Sequence, residues 1–364
     1  MKKIIAVMIV VFVVVFSCLF MIIPKKNYSE NENRYFAKIS KISFKKILSC
    51  EFQNSVTDYI SDHFPFRDFL LGEKNKLYHN MGMYRINDVY YTKDNHLIEE
   101  FTRPKSKESI TRIVNKFVLN NSGKKIDFIL SPTNLYLYGD EISKYNLNYS
   151  EDKVIDYYKN NLNLNFIDVR DILMDNKDEY IFYNSDHHWT TLGAYYVYDE
   201  YCRKNNINKA EFKFKKVSDN FKGSLYSKVL DNSIKKDYII RVDNDDNYNY
   251  NVIIDGKMVN DFYDASFLEK KDKYSYFFGG NKGVISIENM SIDNSDNILI
   301  IKDSYANSFI PFISSNYRNV YVIDPRYYYE SIKSFIEKNN IDNILFMYNV
   351  LTIDDDLGIV SING

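Results

Sequence analysis

Four short, nearly continuous apolar runs limit what this chain can fold into. They are residues 126–130 (Ile-Asp-Phe-Ile-Leu), 298–301 (Ile-Leu-Ile-Ile), 320–323 (Val-Tyr-Val-Ile) and 344–347 (Ile-Leu-Phe-Met). Runs this short read as strands, and strands this apolar need cover on both faces. Apolar residues at helical spacing occupy 110–119, 152–161 and 329–338, and a further strand is expected at 166–169. Strand-helix alternation predicts an α/β fold: a parallel sheet with helices on both faces. Each run also stops at polar residues. Ser131-Pro-Thr-Asn134, Lys302-Asp-Ser304, Asp324-Pro-Arg-Tyr327 and Tyr348-Asn349 follow the four runs in turn. Ligands in such sheets bind at the carboxyl ends of strands. The loop from Ser131 to Tyr138 is therefore either an ordinary turn or part of a pocket wall.

One stretch concentrates the chemistry further. Residues 183–194 read Tyr-Asn-Ser-Asp-His-His-Trp-Thr-Thr-Leu-Gly-Ala. An acid, two imidazoles and an indole are consecutive at Asp186 to Trp189, in a chain with five histidines and one tryptophan. Residues 181–183 lead in with strand-like composition. Thr190 or Thr191 is placed to cap a helix, and Ala194, Val197, Tyr198, Tyr201 and Cys202 recur at helical spacing. Histidine exchanges protons near neutral pH, and a neighbouring carboxylate orients it. Asp186 and His188 are close enough in sequence to bond across a tight turn. The best candidate for the missing nucleophile is Ser304, between a buried strand and a helix starting near Pro311.

Taken separately, each motif has a plain structural reading: an Asp–His brace, and a serine capping a helix. A metal is not expected, because one cluster gives too few ligands and no HxxxH or cysteine pair supports it. Together, Asp186-His-His-Trp189 and the later strand with Asp303-Ser-Tyr305 resemble the DHHW protein family. That family is similar to the AlgX/AlgJ-like alginate O-acetyltransferases of the SGNH hydrolase superfamily. Asp62-His-Phe-Pro-Phe-Arg67 and Phe221-Lys-Gly-Ser-Leu-Tyr226 resemble further family segments. So do Asp272-Lys-Tyr274 with Gly280-Asn281, and Asp324-Pro-Arg-Tyr327.

The resemblance implies an SGNH-hydrolase-like sheet in circularly permuted order, with the Asp–His pair before the serine. It implies Ser304 as nucleophile, His188 as its base and Asp186 as the orienting acid. The preference for His188 over His187 comes from the family pattern. Lys302 stands where a glycine usually precedes the Asp-Ser pair. The Ser304 amide is one natural oxyanion donor, and Asn349 is the positional candidate for an asparagine donor. Trp189, Asn281, Arg326 and Tyr327 are candidates for the substrate site. Arg326 would either hold a substrate carboxylate or hydroxyl, or brace its own turn. No cofactor is implied, because the acyl donor is consumed as a substrate. The implied partners are a surface polysaccharide and a multipass membrane O-acyltransferase that supplies the acyl group.

The remaining chain sets the context. Residues 4–23 are apolar, and about 20 such residues span a bilayer. Lys2 and Lys3 precede the run, and Lys25 and Lys26 follow it, so flanking charge orients it only weakly. A single-pass signal-anchor in the cell membrane, with the carboxyl-terminal bulk outside the cytoplasm, is the expectation. No small-x-small cleavage site follows the run, and Phe16 spoils a lipobox ending at Cys18. The expected organisation is an anchor at 1–26, a tether at 27–50, and a catalytic domain at 51–364. An inserted, β-rich segment rich in Asn, Asp and Lys covers about 205–296.

Several smaller features have local readings. Residues 52–77 read as helical with a break at Pro65, and Arg67 as an ion-pair former. Residues 89–98 read as a hairpin turning at Asp94-Asn95, with His96 facing solvent. The acidic run 243–246 lacks EF-hand spacing. Basic and acidic residues nearly balance, 47 against 49, and no basic patch interleaves with aromatics. That argues against nucleic acid. Cys50 and Cys202 either pair or stay free, and two such distant thiols make no disulfide scaffold.

The expected protein is an extracytoplasmic serine acyltransferase that acetylates a surface polysaccharide. Two alternatives use the same residues. One is an SGNH-type carbohydrate esterase, and the other is a non-catalytic glycan-binding or assembly protein.

Overall fold

In the computed structural model the four apolar runs become neighbouring strands of one eight-stranded sheet. The structure describes residues 2–94, 96–142, 146–244, 248–293 and 295–364. The strands are β1 (Lys125–Ser131), β2 (Asn165–Phe166), β3 (Tyr250–Ile254) and β4 (Lys257–Val259). They continue with β5 (Val284–Asn289), β6 (Asn297–Lys302), β7 (Asn319–Ile323) and β8 (Asn343–Asn349). The order across the sheet is β4-β3-β5-β7-β6-β8-β1-β2. From β7 to β2 neighbouring strands are parallel. From β4 to β7 they are antiparallel. The fold is thus mixed α/β with a large, mostly parallel sheet.

Burial follows composition. After its first residue, each of β1, β6 and β8 is buried throughout. Both sheet faces are therefore covered there, as continuous apolar strands require. Phe128 of β1 and Phe346 of β8 are register partners with ring centroids 5.7 Å apart. Phe117 of the helix Lys107–Asn120 meets Phe346 edge-on at 5.3 Å. Tyr158 of the helix Glu151–Asn161 stacks over Phe128 at 6.4 Å. The helical stripes expected from sequence thus close over the strand runs expected from sequence.

Four expectations need correction. The segment 205–296 does not stand apart from a purely parallel sheet: β3, β4 and β5 extend that sheet, and only Phe212–Phe221 and Asp237–Asn244 pair as a separate ribbon. The reason lies in β5, where Ile285, Ile287 and Asn289 are buried and alternate with more exposed residues. That is the pattern of an antiparallel strand with one covered face. The strand expected at 166–169 is only Asn165–Phe166. Residues 181–183 form no sheet strand; Phe182 and Trp189 make one isolated antiparallel bridge, because the polar residues between them fold back. His96 is half-buried against Tyr138, with ring centroids 5.1 Å apart, and burial lowers its pKa. The hairpin carrying it pairs Val89–Tyr91 with Leu97–Glu99, while Asn95 of its turn lies outside the described residues. Asp245 and Asp246 of the acidic run also lie outside them.

The chain divides into two compact units, Met1–Asn87 with Tyr226–Ser233, and Asp88–Leu225 with Ile234–Gly364. The first contains the helix Lys2–Ile22, which has no buried residue. Among the described residues it is the one helix long and apolar enough to cross a membrane. The helices Glu51–Asp62 and Arg67–Asn80 flank the break at Pro65. Arg67 pairs with Glu32, and Asp62 accepts both terminal nitrogens of Arg34 and the Ala37 N–H. A Cβ on Gly72 would lie 2.6 Å from the Leu230 carbonyl oxygen, so backbone meets backbone there. Cys50 and Cys202 are both free thiols. The second unit holds the sheet and the chemistry.

Candidate active site

The corner at residues 183–194 is built from the inside of a tight loop. Tyr183 N–H donates to the His188 carbonyl at 3.3 Å, and Thr190 N–H to the Ile181 carbonyl at 2.9 Å. Thr190 then caps the helix Thr191–Asn205, its hydroxyl oxygen accepting from Leu192 and Gly193. The loop is also anchored from below. Asp237 accepts the backbone N–H of Asn184 and of Ser185, each at 2.8 Å. With its turn fixed, Asp186 accepts the His188 N–H at 3.0 Å and the Ser224 N–H at 2.7 Å. Gly223 lies hard against it: a Cβ there would come within 2.2 Å of the Asp186 Cβ.

Ser304 arrives from the sheet. After β6, Asp303 caps a 3-10 helix, Ser304–Ser308, by accepting the Tyr305 N–H at 2.8 Å. Its other carboxylate oxygen accepts from Asn349, backbone at 2.8 Å and side chain at 2.7 Å. That holds the end of β6 to the end of β8.

The two corners meet at the imidazole of His188. Its Nε2 is 2.7 Å from Ser304 Oγ, and its Nδ1 is 2.6 Å from Asp186 Oδ1. Trp189 fastens the corners together. Its indole N–H reaches the Tyr305 carbonyl at 2.9 Å and Ser308 Oγ at 3.0 Å. Tyr305 in return donates its hydroxyl proton to the His187 carbonyl. His187 turns elsewhere, with Nδ1 2.6 Å from Ser224 Oγ.

Electrostatics assign the protons. Burial opposes ionisation of Asp186, but the His188 and His187 imidazoles and the Ser224 N–H outweigh it. They hold the carboxyl well below its ordinary range. Burial pushes the His188 imidazole down to about 4; His187 and Arg326 add to the shift and Asp186 opposes it. At neutral pH the site therefore presents a carboxylate, a neutral imidazole and a half-buried serine hydroxyl in line. A neutral imidazole at this distance can accept the serine proton.

Comparison with known proteins places this architecture. The DHHW protein family profile matches residues 86–323, which is more than half of the chain and spans Asp186 to Trp189 and Ser304. The chain belongs to the DHHW family. A DHHW family protein from Eubacterium siraeum is similar in structure, with TM-score 0.67 and 24% identity over 77% of this chain and 96% of that one. Bacillus cereus PatB1 with a sulfonyl adduct is similar at TM-score 0.63 and 17% identity, over 76% of this chain and 100% of that one. A second PatB1 structure gives TM-score 0.60 and 18% identity, over 74% and 96%. The shared fold is SGNH-like. No curated protein matches the chain in sequence.

The other predicted residues of this DHHW protein divide into two groups. Trp189 joins the site as a brace. Asn349 does not serve as the oxyanion donor expected from its position, because its amide group is committed to Asp303 and to Thr352 Oγ1 at 2.7 Å. Arg326 braces its own turn: Nε and Nη2 bond the two oxygens of Asp324 at 2.8 and 2.7 Å. Tyr327 is exposed beside it, its ring 5.6 Å from the guanidinium carbon. Asn281 presents Oδ1 to Lys302 and to Asn307, both at 3.2 Å. Lys302, the residue in place of the usual glycine, is fully buried, with Nζ 2.8 Å from Asn307 Oδ1 and 3.5 Å from Asp324. Among the described residues, the Ser304 N–H has no hydrogen-bond acceptor.

Ligand atoms of Asp186, His187 and His188 lie within 4.8 Å of one another. Both His188 nitrogens are already engaged, so a metal there would displace Ser304 or Asp186. Sequence reasoning missed three contributors: Asp237, the Gly223–Ser224 pair and Tyr274. The latter two fall inside family-like segments, Phe221–Tyr226 and Asp272–Tyr274, whose geometric roles no spacing revealed. Asp237 carried no local signal.

Proposed function

We propose that this protein transfers an acyl group, taken here as acetyl, to a hydroxyl of a surface polysaccharide through an acyl-Ser304 intermediate. The observation that carries this reading is the contact of His188 Nε2 with Ser304 Oγ at 2.7 Å, backed by Asp186 on Nδ1 at 2.6 Å. His188 takes the Ser304 proton as Oγ attacks the donor ester, and Asp186 stabilises the imidazolium that forms. His188 then returns the proton to the leaving alcohol. In the second half-reaction it deprotonates a sugar hydroxyl, which attacks the acyl-serine and releases Ser304. The Ser304 N–H faces the developing oxyanion, and one such donor is worth about 2.7–4 kcal/mol. No cofactor takes part. The choice of acetyl and of a polysaccharide acceptor rests on the resemblance of the DHHW family to the alginate O-acetyltransferases. So does the upstream multipass O-acyltransferase as partner. The apolar helix Lys2–Ile22 supports a membrane anchor, and a surface polysaccharide as acceptor would require the sheet-bearing unit to lie outside the cytoplasm.

Incubation with an acetyl ester donor and mass spectrometry of the peptide containing Ser304 tests this directly. Expected is an acetyl adduct on Ser304, absent in Ser304→Ala and strongly reduced in His188→Ala. Undiminished ester turnover by Ser304→Ala would overturn the reading. A second reading, hydrolysis, is favoured by the half-buried state of Ser304, which leaves water a route to it. Added oligosaccharide separates the two: a transferase diverts acetyl from acetate to sugar, whereas an esterase releases acetate regardless.

A further inference from the structure

The imidazole of His188 lies flat against a tyrosine. The ring centroid of Tyr274 is 3.7 Å from that of His188, and the two planes are 10° apart. Tyr274 is buried in a short 3-10 helix, Lys273–Tyr276, capped by Asp272. Its hydroxyl donates to the Ser304 carbonyl at 2.9 Å. One side chain thus touches the face of the base and the backbone of the nucleophile.

The chemistry gives this contact a sign. When Ser304 Oγ attacks an ester carbon, its O–H bond breaks, an N–H bond forms at His188 Nε2, and an Oγ–C bond forms. The carbonyl π pair moves onto the oxygen. His188 becomes a cation at that moment and at no earlier one. The face of an aromatic ring attracts a cation within about 6 Å of its centroid, and more strongly where water is excluded. An interaction present only with the imidazolium raises the rate rather than substrate binding.

The other groups facing His188 act differently. Asp186 favours the cation through Nδ1 at 2.6 Å. His187, its ring 3.9 Å away, opposes the cation when itself charged, and the Arg326 charge opposes it always. Tyr305, 5.3 Å away, is tilted by 47° and presents no parallel face. Ser304 supplies the proton.

We propose that Tyr274 is a positioning residue of the acyl-transfer site, its ring face stabilising the imidazolium form of His188 and its hydroxyl fixing the backbone of Ser304. This rests on the acyl-transfer reading above.

The test uses Tyr274→Leu and Tyr274→Phe in the full chain, with Tyr274→Met in place of Leu should Leu not fold. Leu keeps the pocket apolar but removes the ring face; Phe keeps the face and removes the hydroxyl. Expected for Leu is a kcat lower by about tenfold with KM unchanged. The acid limb of kcat/KM should also move to lower pH, because the cation has lost support. Expected for Phe is an acid limb where the parent has it. NMR titration of the His188 ring, made in a Ser304→Ala background, needs no turnover and should show the same lower midpoint for Leu. A Leu variant whose limb and NMR midpoint both stay in place overturns the proposal, whatever its activity. A shifted NMR midpoint together with Ser304-independent turnover would support the Tyr274 contact and sink the acyl-transfer reading instead.

Discussion

Gly223 has no room for a methyl group. A Cβ there would sit 2.2 Å from the Asp186 Cβ and 2.3 Å from its Oδ2. Gly223→Ala must therefore push Asp186 away from His188, and misplacement by about 1 Å can cost about 10²-fold in rate. The expected result is a kcat lower by about that factor with circular dichroism unchanged; undiminished kcat would mean Asp186 need not be fixed. His188 yields a pH prediction at the same scale. Burial lowers its pKa to about 4, so the neutral base persists well below the ordinary imidazole value of about 6.5. Activity on an acetyl ester should hold steady from neutral pH down and fall through about pH 4. Sign and stability agree: the unfolded imidazole binds its proton first, so stability is lost as pH falls from about 6.5 towards about 4. A pH-rate profile with its acid limb near 6.5 would show that burial does not govern this group.

At the scale of elements, the site depends on bringing the 183–194 corner to the turn that ends β6. Asp303 ties the end of β6 to β8 through Asn349, and Trp189 ties the 183–194 corner to the 304–308 turn. Trp189→Phe keeps most of the ring volume but removes the indole N–H. Two buried acceptors, the Tyr305 carbonyl and Ser308 Oγ, then lose a donor. Leaving buried polar atoms unpaired costs about 1–3 kcal/mol. Urea unfolding of Trp189→Phe should show a loss of that size, together with reduced kcat from a looser approach of Ser304 to His188. Unchanged stability would mean that the corners are held by other contacts. The separate ribbon has its own part here, because Asp237 at the start of one of its strands holds the Asn184 and Ser185 amides.

At the scale of the whole molecule, the helix Lys2–Ile22 is apolar beyond its two leading lysines and has no buried residue. Twenty-one residues in a helix, at about 1.5 Å each, match the thickness of a bilayer's hydrocarbon layer. The full-length protein should sediment with membranes, stay there through an alkaline carbonate wash, and dissolve in detergent. Release by carbonate would remove the anchor from the functional reading, while leaving the chemistry of the second unit untouched. The near balance of 47 basic and 49 acidic residues predicts little salt dependence in that fractionation.

What the sequence determined by itself was local. The apolar runs that became β1, β6, β7 and β8, the helix capped by Thr190, the break at Pro65 and the apolar amino-terminal helix all follow from periodicity or single-residue stereochemistry. Each acts within one element. Asp186, His188 and Ser304 were legible as candidates because their chemistry is rare, and family resemblance joined them across more than a hundred residues. The tertiary structure alone decided which polar atom met which. It turned Asn349 from a presumed oxyanion donor into a partner of Asp303, because the ends of parallel β6 and β8 lie side by side. It drew β3, β4 and β5 into the main sheet, since the alternation in β5 marks one covered face but does not say which strand edge it joins. It placed Tyr274 on His188, and Gly223 against Asp186. Periodicity reports which side of an element is buried; contacts between distant segments are fixed only when the packed chain leaves each side chain one place to go.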